Sequence, residues 1–180
     1  MSFFSRKSDH GGLYPEIDRE LWIDMLIRAS AQGSVSAVRA LIDRGLSVDE
    51  KNDVEYTPLM AAVRSYRIEV VRFLLERGAD VHRSDVYGHS VLHCAVMSPT
   101  RELEIQAQCV RAILDRHPVL DAQDESGCTP LMHAAWFGLE PSVLLLMSAG
   151  ADQGVRDQKG RTAAMLALEK KHETIARMLG

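Results

Sequence analysis

The sequence predicts an all-α repeat solenoid of about five helix-turn-helix units joined by hairpin-like loops. Two observations support this prediction. Similar strings recur along the chain at offsets of 33, 39 and 33 residues, and each string opens with a residue type that starts helices. The strings begin at Thr57, Ser90, Thr129 and Thr162. A repeat of this length is one supersecondary unit that buries its apolar face against its neighbours, so the chain is expected to stack.

Each unit contains the signals of two helices. Thr57 followed by Pro58 is an N-cap residue before a proline at the first helical position, where the missing N–H costs nothing. The small residues that follow give a short helix able to pack closely. Ile68 to Leu75 carries the apolar spacing of a second helix, which Gly78 ends in a left-handed conformation. Each unit is therefore predicted to consist of two antiparallel helices.

Asp-x-x-Gly segments precede three of the helix starts, at 85–88, 124–127 and 157–160, and predict tight turns at the tips of the connecting loops. Unit one lacks a Thr-Pro pair, so its first helix is expected to begin near Ile17. The polar run 169–173 in the last unit suits a capping repeat. The predicted division is a flexible N-terminal segment, residues 1–16, and a repeat domain, residues 17–180, with units of about 17–51, 52–84, 85–123, 124–156 and 157–180.

These strings resemble the ankyrin repeat family, whose period is 33 and whose signature is Thr-Pro-Leu-His-x-Ala. The resemblance covers about residues 21–180, with four or five copies in register. It implies an ankyrin-type repeat solenoid in which the hairpin tips and the exposed side of each first helix face a partner. It also implies non-catalytic recognition of another protein.

Composition excludes several other classes of function. The chain has 180 residues, and 21 Lys and Arg alternate with 25 Asp and Glu to give a net charge of −4. It lacks the basic stripe of a nucleic-acid binder, and its longest apolar run, Val143 to Met147, is far too short to cross a bilayer. We therefore expect neither nucleic acid nor membrane as a partner. Three cysteines without a paired spacing suit a reducing compartment, so the predicted localisation is cytoplasmic.

No pattern of residues predicts catalysis, a cofactor or a small-molecule substrate. His89 and His93 are four residues apart with Cys94 adjacent, but the repeat register places His89 in a turn and His93 at the usual histidine of the family. In ankyrin-like repeats that ring generally bonds to loop backbone, so we expect no metal. The chain has no nucleophile elbow and no phosphate-binding glycine loop. The prediction is that it is not an enzyme.

Aromatic and charged residues predict a binding surface in the concave groove. Aromatic anchors dominate the energetics of protein interfaces, and Trp136 and Phe137 follow the small residues of the fourth first helix. Charges at the tips predict a gradient along the groove, from acidic in unit two to basic in unit five. The predicted partner-binding residues are Tyr56, Arg64, Tyr87, His89, Met97, Glu125, Trp136, Phe137 and Arg161.

The sequence leaves some alternatives open. Trp136 and Phe137 could instead pack against Lys170 or the next unit. Unit three has six extra residues within 98–106, expected as a projecting loop between its helices, which is either a tolerated insertion or a contact to a partner. The predicted protein–protein recognition could inhibit or neutralise the partner. The alternatives are an immunity protein against a bacterial toxin or effector, an adaptor, and a scaffold that associates with itself through Leu144 and the convex face.

Overall fold

The structure is a computed structural model that describes residues 17–97 and 102–180. Its described residues form ten α-helices in five antiparallel pairs and no multi-residue strand, as the repeat pattern predicts. The predicted flexible segment 1–16 lies outside the described residues. The helices are α1 (Ile17–Gln32), α2 (Val35–Asp43), α3 (Pro58–Arg64), α4 (Ile68–Glu76), α5 (Val91–Val96), α6 (Leu103–Leu114), α7 (Pro130–Phe137), α8 (Glu140–Ala149), α9 (Ala163–Glu169) and α10 (Glu173–Leu179).

The first helices start where the sequence signals place them. The side chains of Thr57, Thr129 and Thr162 each accept a hydrogen bond from the backbone N–H three residues ahead, and Ser90 does the same for α5. The first helix of unit one begins at Ile17, as expected from the missing Thr-Pro pair. Each start therefore follows from local chemistry.

The core lies between neighbouring units. Each first helix packs on the first helix of the next unit, so that α1, α3, α5, α7 and α9 form one layer. Behind them α2 contacts α4, α4 contacts α6, and α6 contacts α8. Leu59, Leu92 and Leu131 have the same repeat position and are almost completely buried. Since each unit buries apolar area only against its neighbours, the stack and not the single unit is the stable entity.

The insertion in unit three lengthens a helix. In the repeat register Ile68, where α4 begins, corresponds to Ala107, but α6 begins four residues earlier at Leu103. Those four residues form about one additional helical turn. Gln106 in this turn is fully buried, and its amide joins the Ala95 carbonyl to the Ser142 hydroxyl. The prediction of a projecting loop is therefore wrong for residues 103–106, and residues 98–101 lie outside the described part of the chain.

The helix α6 ends without a glycine at the position where α4 is followed by Gly78. His117 has the repeat position of Gly78 and adopts the same left-handed conformation, with φ 52°. Among the described residues, no helix has the length and apolar character that crossing a bilayer requires.

Candidate protein-binding surface

The hairpin tips are built on one recurring turn. Asn52, Asp85, Asp124 and Asp157 each use a side-chain oxygen, Oδ1, to accept the backbone N–H groups two and four residues ahead. Their spacing of 33, 39 and 33 residues repeats that of the helix starts. The side-chain oxygen thus accepts two backbone N–H groups that have no backbone carbonyl to bind in the turn. The same pattern occurs in all four of these tips.

Neighbouring tips are also joined by backbone hydrogen bonds. Val86 N–H donates to the Val54 carbonyl at 3.1 Å, and Glu125 N–H donates to the Tyr87 carbonyl at 3.0 Å. Gln158 N–H continues the series to unit four. The tips therefore form a continuous edge along one side of the groove.

The second oxygen of each aspartate pairs with a side chain that faces the groove. Asp85 Oδ2 lies 3.0 Å from His89 Nδ1, and Asp124 Oδ2 lies 2.7 Å from His133 Nε2. Burial opposes ionisation of Asp124, but the hydrogen bonds from His133 and from the backbone outweigh this effect and lower its pKa. His133 is a residue near the tips that sequence analysis missed, although its position within the string that begins at Thr129 could have revealed it.

The same arrangement holds Arg161 in the last unit. Its guanidinium contacts Asp157 Oδ2 at 2.8 Å and Glu169 Oε2 at 2.9 Å. Burial disfavours the Asp157 carboxylate, yet the hydrogen bonds from Arg161 lower its pKa overall. Two carboxylates therefore neutralise the charge of Arg161. The positive charge predicted for the groove in unit five is then supplied by Lys159 and Lys170.

Trp136, Phe137 and Arg161, three of the residues predicted to bind a partner, line one pocket. The pocket has a volume of about 290 Å³ and lies between units four and five. Trp136 and Phe137 are each half-buried. Lys170 Nζ lies 3.8 Å from the centre of the Trp136 ring, a cation–π contact, so the alternative packing of Trp136 against Lys170 is present. The pocket is lined by Ser126, Cys128, Met132, His133, Trp136, Phe137, Asp157, Gln158, Lys159, Arg161 and Leu166.

Tyr56 lies at the other end of the groove and is less exposed than its place in a tip suggests. It is half-buried, and its hydroxyl donates to the Met60 carbonyl at 3.2 Å. Burial raises the pKa of the Tyr56 phenol. The ring lines a second pocket of about 290 Å³ that α1 closes with Asp24, Ile27 and Arg28. The Tyr56 hydroxyl is therefore already bonded within its own unit.

Between these two pockets lies a row of rings. Tyr87 is 49% exposed and its ring centre is 5.9 Å from that of His89. His93 and His133 continue the row at 6.1 and 5.5 Å. The remaining predicted residues do not line either of these two pockets. Arg64 is exposed at the end of α3, Met97 is half-buried at the end of α5, and Glu125 is exposed at a tip.

One cluster has the composition of a metal site. The ligand atoms of His93, Asp124 and His133 lie within 4.8 Å of one another. However, Ser90 N–H donates to His93 Nδ1, so His93 Nε2 carries the proton and donates to the Cys128 carbonyl. Burial lowers the pKa of His93 to about 4. Both nitrogens of this neutral ring are therefore used, Nδ1 within unit three and Nε2 in joining unit three to unit four, and a metal would have to displace these bonds.

The thiols are not arranged as nucleophiles. Burial raises the pKa of Cys94 and of Cys109 to about 12, and that of Cys128 to about 11. A thiol with such a pKa is protonated at neutral pH and is a poor nucleophile. What the described surface offers is apolar pockets, a polar edge and fixed charges, which is the chemistry of recognition.

These features define a solenoid of stacked two-helix repeats. A family model described as ankyrin repeats matches residues 26–105, 84–157 and 105–180. The chain belongs to the ankyrin repeat family, whose repeats are protein–protein interaction modules and are generally non-catalytic.

Similar proteins come from distant organisms. The chain is 32% identical over 140 residues to a putative ankyrin repeat-containing protein of Treponema pallidum (strain Nichols), covering 78% of this chain and 43% of that protein. It is 31% identical over 173 residues to the probable 26S proteasome regulatory subunit p28 of Saccharomyces cerevisiae, covering 94% and 73%. A palmitoyltransferase of Lachancea kluyveri, AKR1, is 31% identical over 150 residues, which are 83% of this chain and 20% of the enzyme. The chain spans less than half the length of the first relatives it matches, 43%, 26% and 4%.

Proposed function

We propose that this chain is a non-catalytic recognition module that binds one protein partner across its concave groove. The groove is the surface from the Tyr56 pocket, along the ring row, to the Trp136 pocket. The observation that carries the proposal is the Trp136 pocket, in which two half-buried aromatic rings line a cavity of about 290 Å³ with a polar rim. Interface anchors have this combination of apolar area and fixed polar groups.

The chemistry of the pocket indicates what a partner supplies. The rings of Trp136 and Phe137 and the side chain of Leu166 favour an apolar side chain of the partner. Arg161 is held by Asp157 and Glu169, so it needs no movement to present its edge to the cavity. A fixed surface loses little entropy on binding, which favours a specific complex.

The proposal includes inhibition of the partner. A folded partner or an extended peptide that crosses the groove between the two pockets loses access to the bound surface, and a stable complex of this kind buries about 1,200 to 2,000 Å². The narrower roles of immunity protein and adaptor would use the same groove. The partner's own activity, measured with and without this chain, distinguishes a neutralising role from an adaptor role.

The proposed compartment is the cytoplasm. Cys94, Cys109 and Cys128 are free thiols, two of them buried. Free thiols persist in a reducing compartment, which supports this assignment.

Affinity capture from a lysate of the source cell tests the groove. We compare the intact chain with Trp136→Ala/Phe137→Ala and expect one stoichiometric partner to be lost from the variant. Truncating an anchor costs ~2 kcal/mol or more, which weakens binding about 30-fold. The matched control is Leu144→Ala/Val119→Ala, which removes two apolar side chains that are 46% and 57% exposed outside the groove.

Circular dichroism of each variant establishes that it is folded before capture is compared. A folded groove variant that captures the same partner as the intact chain would show that the aromatic pocket is not the binding site. Loss of the partner from the control variant instead would place binding on the outer surface. The partner, once identified, is then titrated against Lys170→Glu, which reverses the charge over the Trp136 ring without removing the ring.

A further inference from the structure

A phenylalanine ring fills the seam between α2 and α4, the second helices of units one and two. The ring of Phe73 is only 6% exposed. The guanidinium carbon of Arg39 lies 4.6 Å from its centre, and that of Arg77 lies 4.8 Å from the same centre. The Arg77 guanidinium also contacts the Asp43 carboxylate at 3.6 Å. One aromatic ring therefore binds two arginines, and this seam is closed.

The next seam, between α4 and α6, lacks such a ring. One unit later, the repeat positions of Arg39, Phe73 and Arg77 are occupied by Arg72, Ala112 and Arg116. Both arginines are kept, and the ring is replaced by a methyl group. A pocket of about 380 Å³ lies in this seam, and we call it the α4–α6 pocket. Its lining includes Arg72, Glu76, Arg111, Ala112, Asp115 and Arg116.

The arginines of the α4–α6 pocket are not engaged as Arg77 is. Among the described residues, Arg111 and Arg116 have no hydrogen bond or ion pair from their side chains. Arg72 has one carboxylate contact, to Glu69, at a distance of 4.0 Å. The guanidinium groups are therefore available to a ligand.

We propose that the α4–α6 pocket binds an aromatic side chain from an extended segment of a protein partner, and that this ring takes the place that Phe73 has in the previous seam. Three arginines and two carboxylates nearly balance in charge, so the pocket is not built for a strongly charged anion. The faces of guanidinium groups bind aromatic rings well. A cavity of about 150 Å³ holds a benzene ring, so this pocket has sufficient room.

An adjoining pocket indicates that the ring belongs to a longer segment. This second pocket, about 260 Å³ in volume, shares Gln108 and Arg111 with the first and adds Leu144 and Leu145. Leu144 has the repeat position of Arg111, so an apolar surface follows the cationic one along the stack. A free aromatic molecule would leave the second pocket unfilled. A segment with an aromatic residue and an apolar residue fits both.

The distance between the helices sets the spacing of these two residues. Packed helices lie about 8 to 10 Å apart, and an extended chain spans about 3.3 Å per residue. The aromatic residue and the apolar residue are therefore expected about three positions apart. No residue of the groove takes part, so the inference does not depend on the proposed function.

Titration of the full chain with the peptide acetyl-Phe-Gly-Gly-Leu-amide tests the inference by NMR. The Nε–Hε signals of Arg72, Arg111 and Arg116 report a ring at the pocket, because an aromatic ring shifts nearby proton signals. We expect these signals to shift to saturation. We expect acetyl-Leu-Gly-Gly-Leu-amide to bind about 5-fold to 30-fold more weakly, because it cannot form the two cation–π contacts.

Ala112→Phe fills the pocket from within the chain. The variant is expected to shift the Arg72 and Arg116 signals without peptide and to lose peptide binding. The matched control is Ala40→Phe, the same substitution at the same repeat position of α2, where the alanine is exposed. It is expected to bind the peptide as the intact chain does. Circular dichroism establishes that both variants are folded.

Arg72→Gln tests the cation without filling the pocket. Loss of one cation–π contact is expected to reduce the preference for the Phe peptide about 2-fold to 5-fold. Arg177→Gln, at the same repeat position of α10 and also exposed, is the control and is expected to keep the full preference.

Four results would overturn the inference. They are unchanged arginine signals at ~10 mM peptide, equal affinity for the Phe and Leu peptides, full binding by a folded Ala112→Phe variant, and an undiminished preference in Arg72→Gln. The variant Trp136→Ala/Phe137→Ala is expected to bind the peptide normally. Loss of peptide binding there would move the peptide to the groove and also overturn the inference, whereas loss of a captured protein alone concerns only the proposed function.

Discussion

Replacing His93 with glutamine tests how unit three is held to unit four. The His93 ring is fully buried and pairs with the backbone of Ser90 in its own unit and of Cys128 in the next. Burial lowers its pKa to about 4 in the folded chain, from an ordinary value of 6.5. The unfolded chain therefore binds a proton on this ring at a higher pH than the folded chain does.

The sign of the pH effect follows from this difference. The neutral ring stabilises the fold fully above about pH 6.5, and that stabilisation is lost as the pH falls from about 6.5 towards about 4. The two pKa values correspond to ~3 kcal/mol when the loss is complete and to ~2 kcal/mol at about pH 5. His133, Asp124 and His89 face the same ring, so their effects have to be subtracted.

Urea unfolding followed by far-UV circular dichroism measures this difference. We compare the free energy of unfolding at about pH 7 and about pH 5 for the intact chain and for His93→Gln, and expect the variant to lose ~2 kcal/mol less on acidification. His89→Gln is the control, since it removes a half-buried ring bonded to Asp85 and leaves the His93 bonds intact. An equal loss of stability in the intact chain and in His93→Gln would refute the assignment of the effect to His93.

Two further predictions concern contacts between units. Gly127 has φ 76°, and a Cβ there would lie 2.9 Å from the Gln158 backbone nitrogen in the next unit, whereas Gly160 has the same φ and nothing within 4 Å. Gly160→Ala is expected to cost ~1 kcal/mol for its left-handed backbone, and Gly127→Ala ~1 to 2 kcal/mol more, measured by urea unfolding. Gln106→Ala leaves the Ser142 hydroxyl without its buried acceptor, and is expected to cost ~2 kcal/mol in the same assay.

For each of these predictions a specific result would contradict the reasoning. Equal costs at Gly127 and Gly160 would mean that the tips do not touch in solution. For Gln106 the control is Gln108→Ala, two residues further along α6, where the amide donates to the exposed Glu104 carboxylate and the expected cost is below ~0.5 kcal/mol. Similar costs for the two glutamines would show that the additional turn of α6 is not fixed by the Gln106 amide.

The sequence predicts the fold well because its determinants are local and repeated. Thr57 and Thr129 cap helices by bonding to their own chain three residues ahead, and Gly150 ends α8 in the left-handed conformation that glycine adopts easily. His117 shows that the position matters more than the residue, since it takes the same conformation without being glycine. Every one of these interactions spans a few residues, so it can be recognised without knowledge of the neighbours.

The site is less predictable because its side chains respond to residues about 33 positions away. Trp136 is recognisable as an anchor, but the position of Lys170 over its ring depends on how unit five packs. Gln106 was expected in a loop, and its burial depends on partners in both α5 and α8. Hydrogen bonds and rotamers across a unit boundary have no local sequence signal.

The tips show how one framework supports different surfaces. Asn52 builds the same turn as the three aspartates, although its side chain has only one carbonyl oxygen, so a single oxygen is enough for the backbone. The second oxygen of each aspartate is then available to hold a groove side chain: His89, His133 or Arg161. Because the turn does not depend on which side chain is held, that side chain can change without loss of the fold. The position therefore suits variation in binding specificity, while the aspartate itself serves both the fold and the surface.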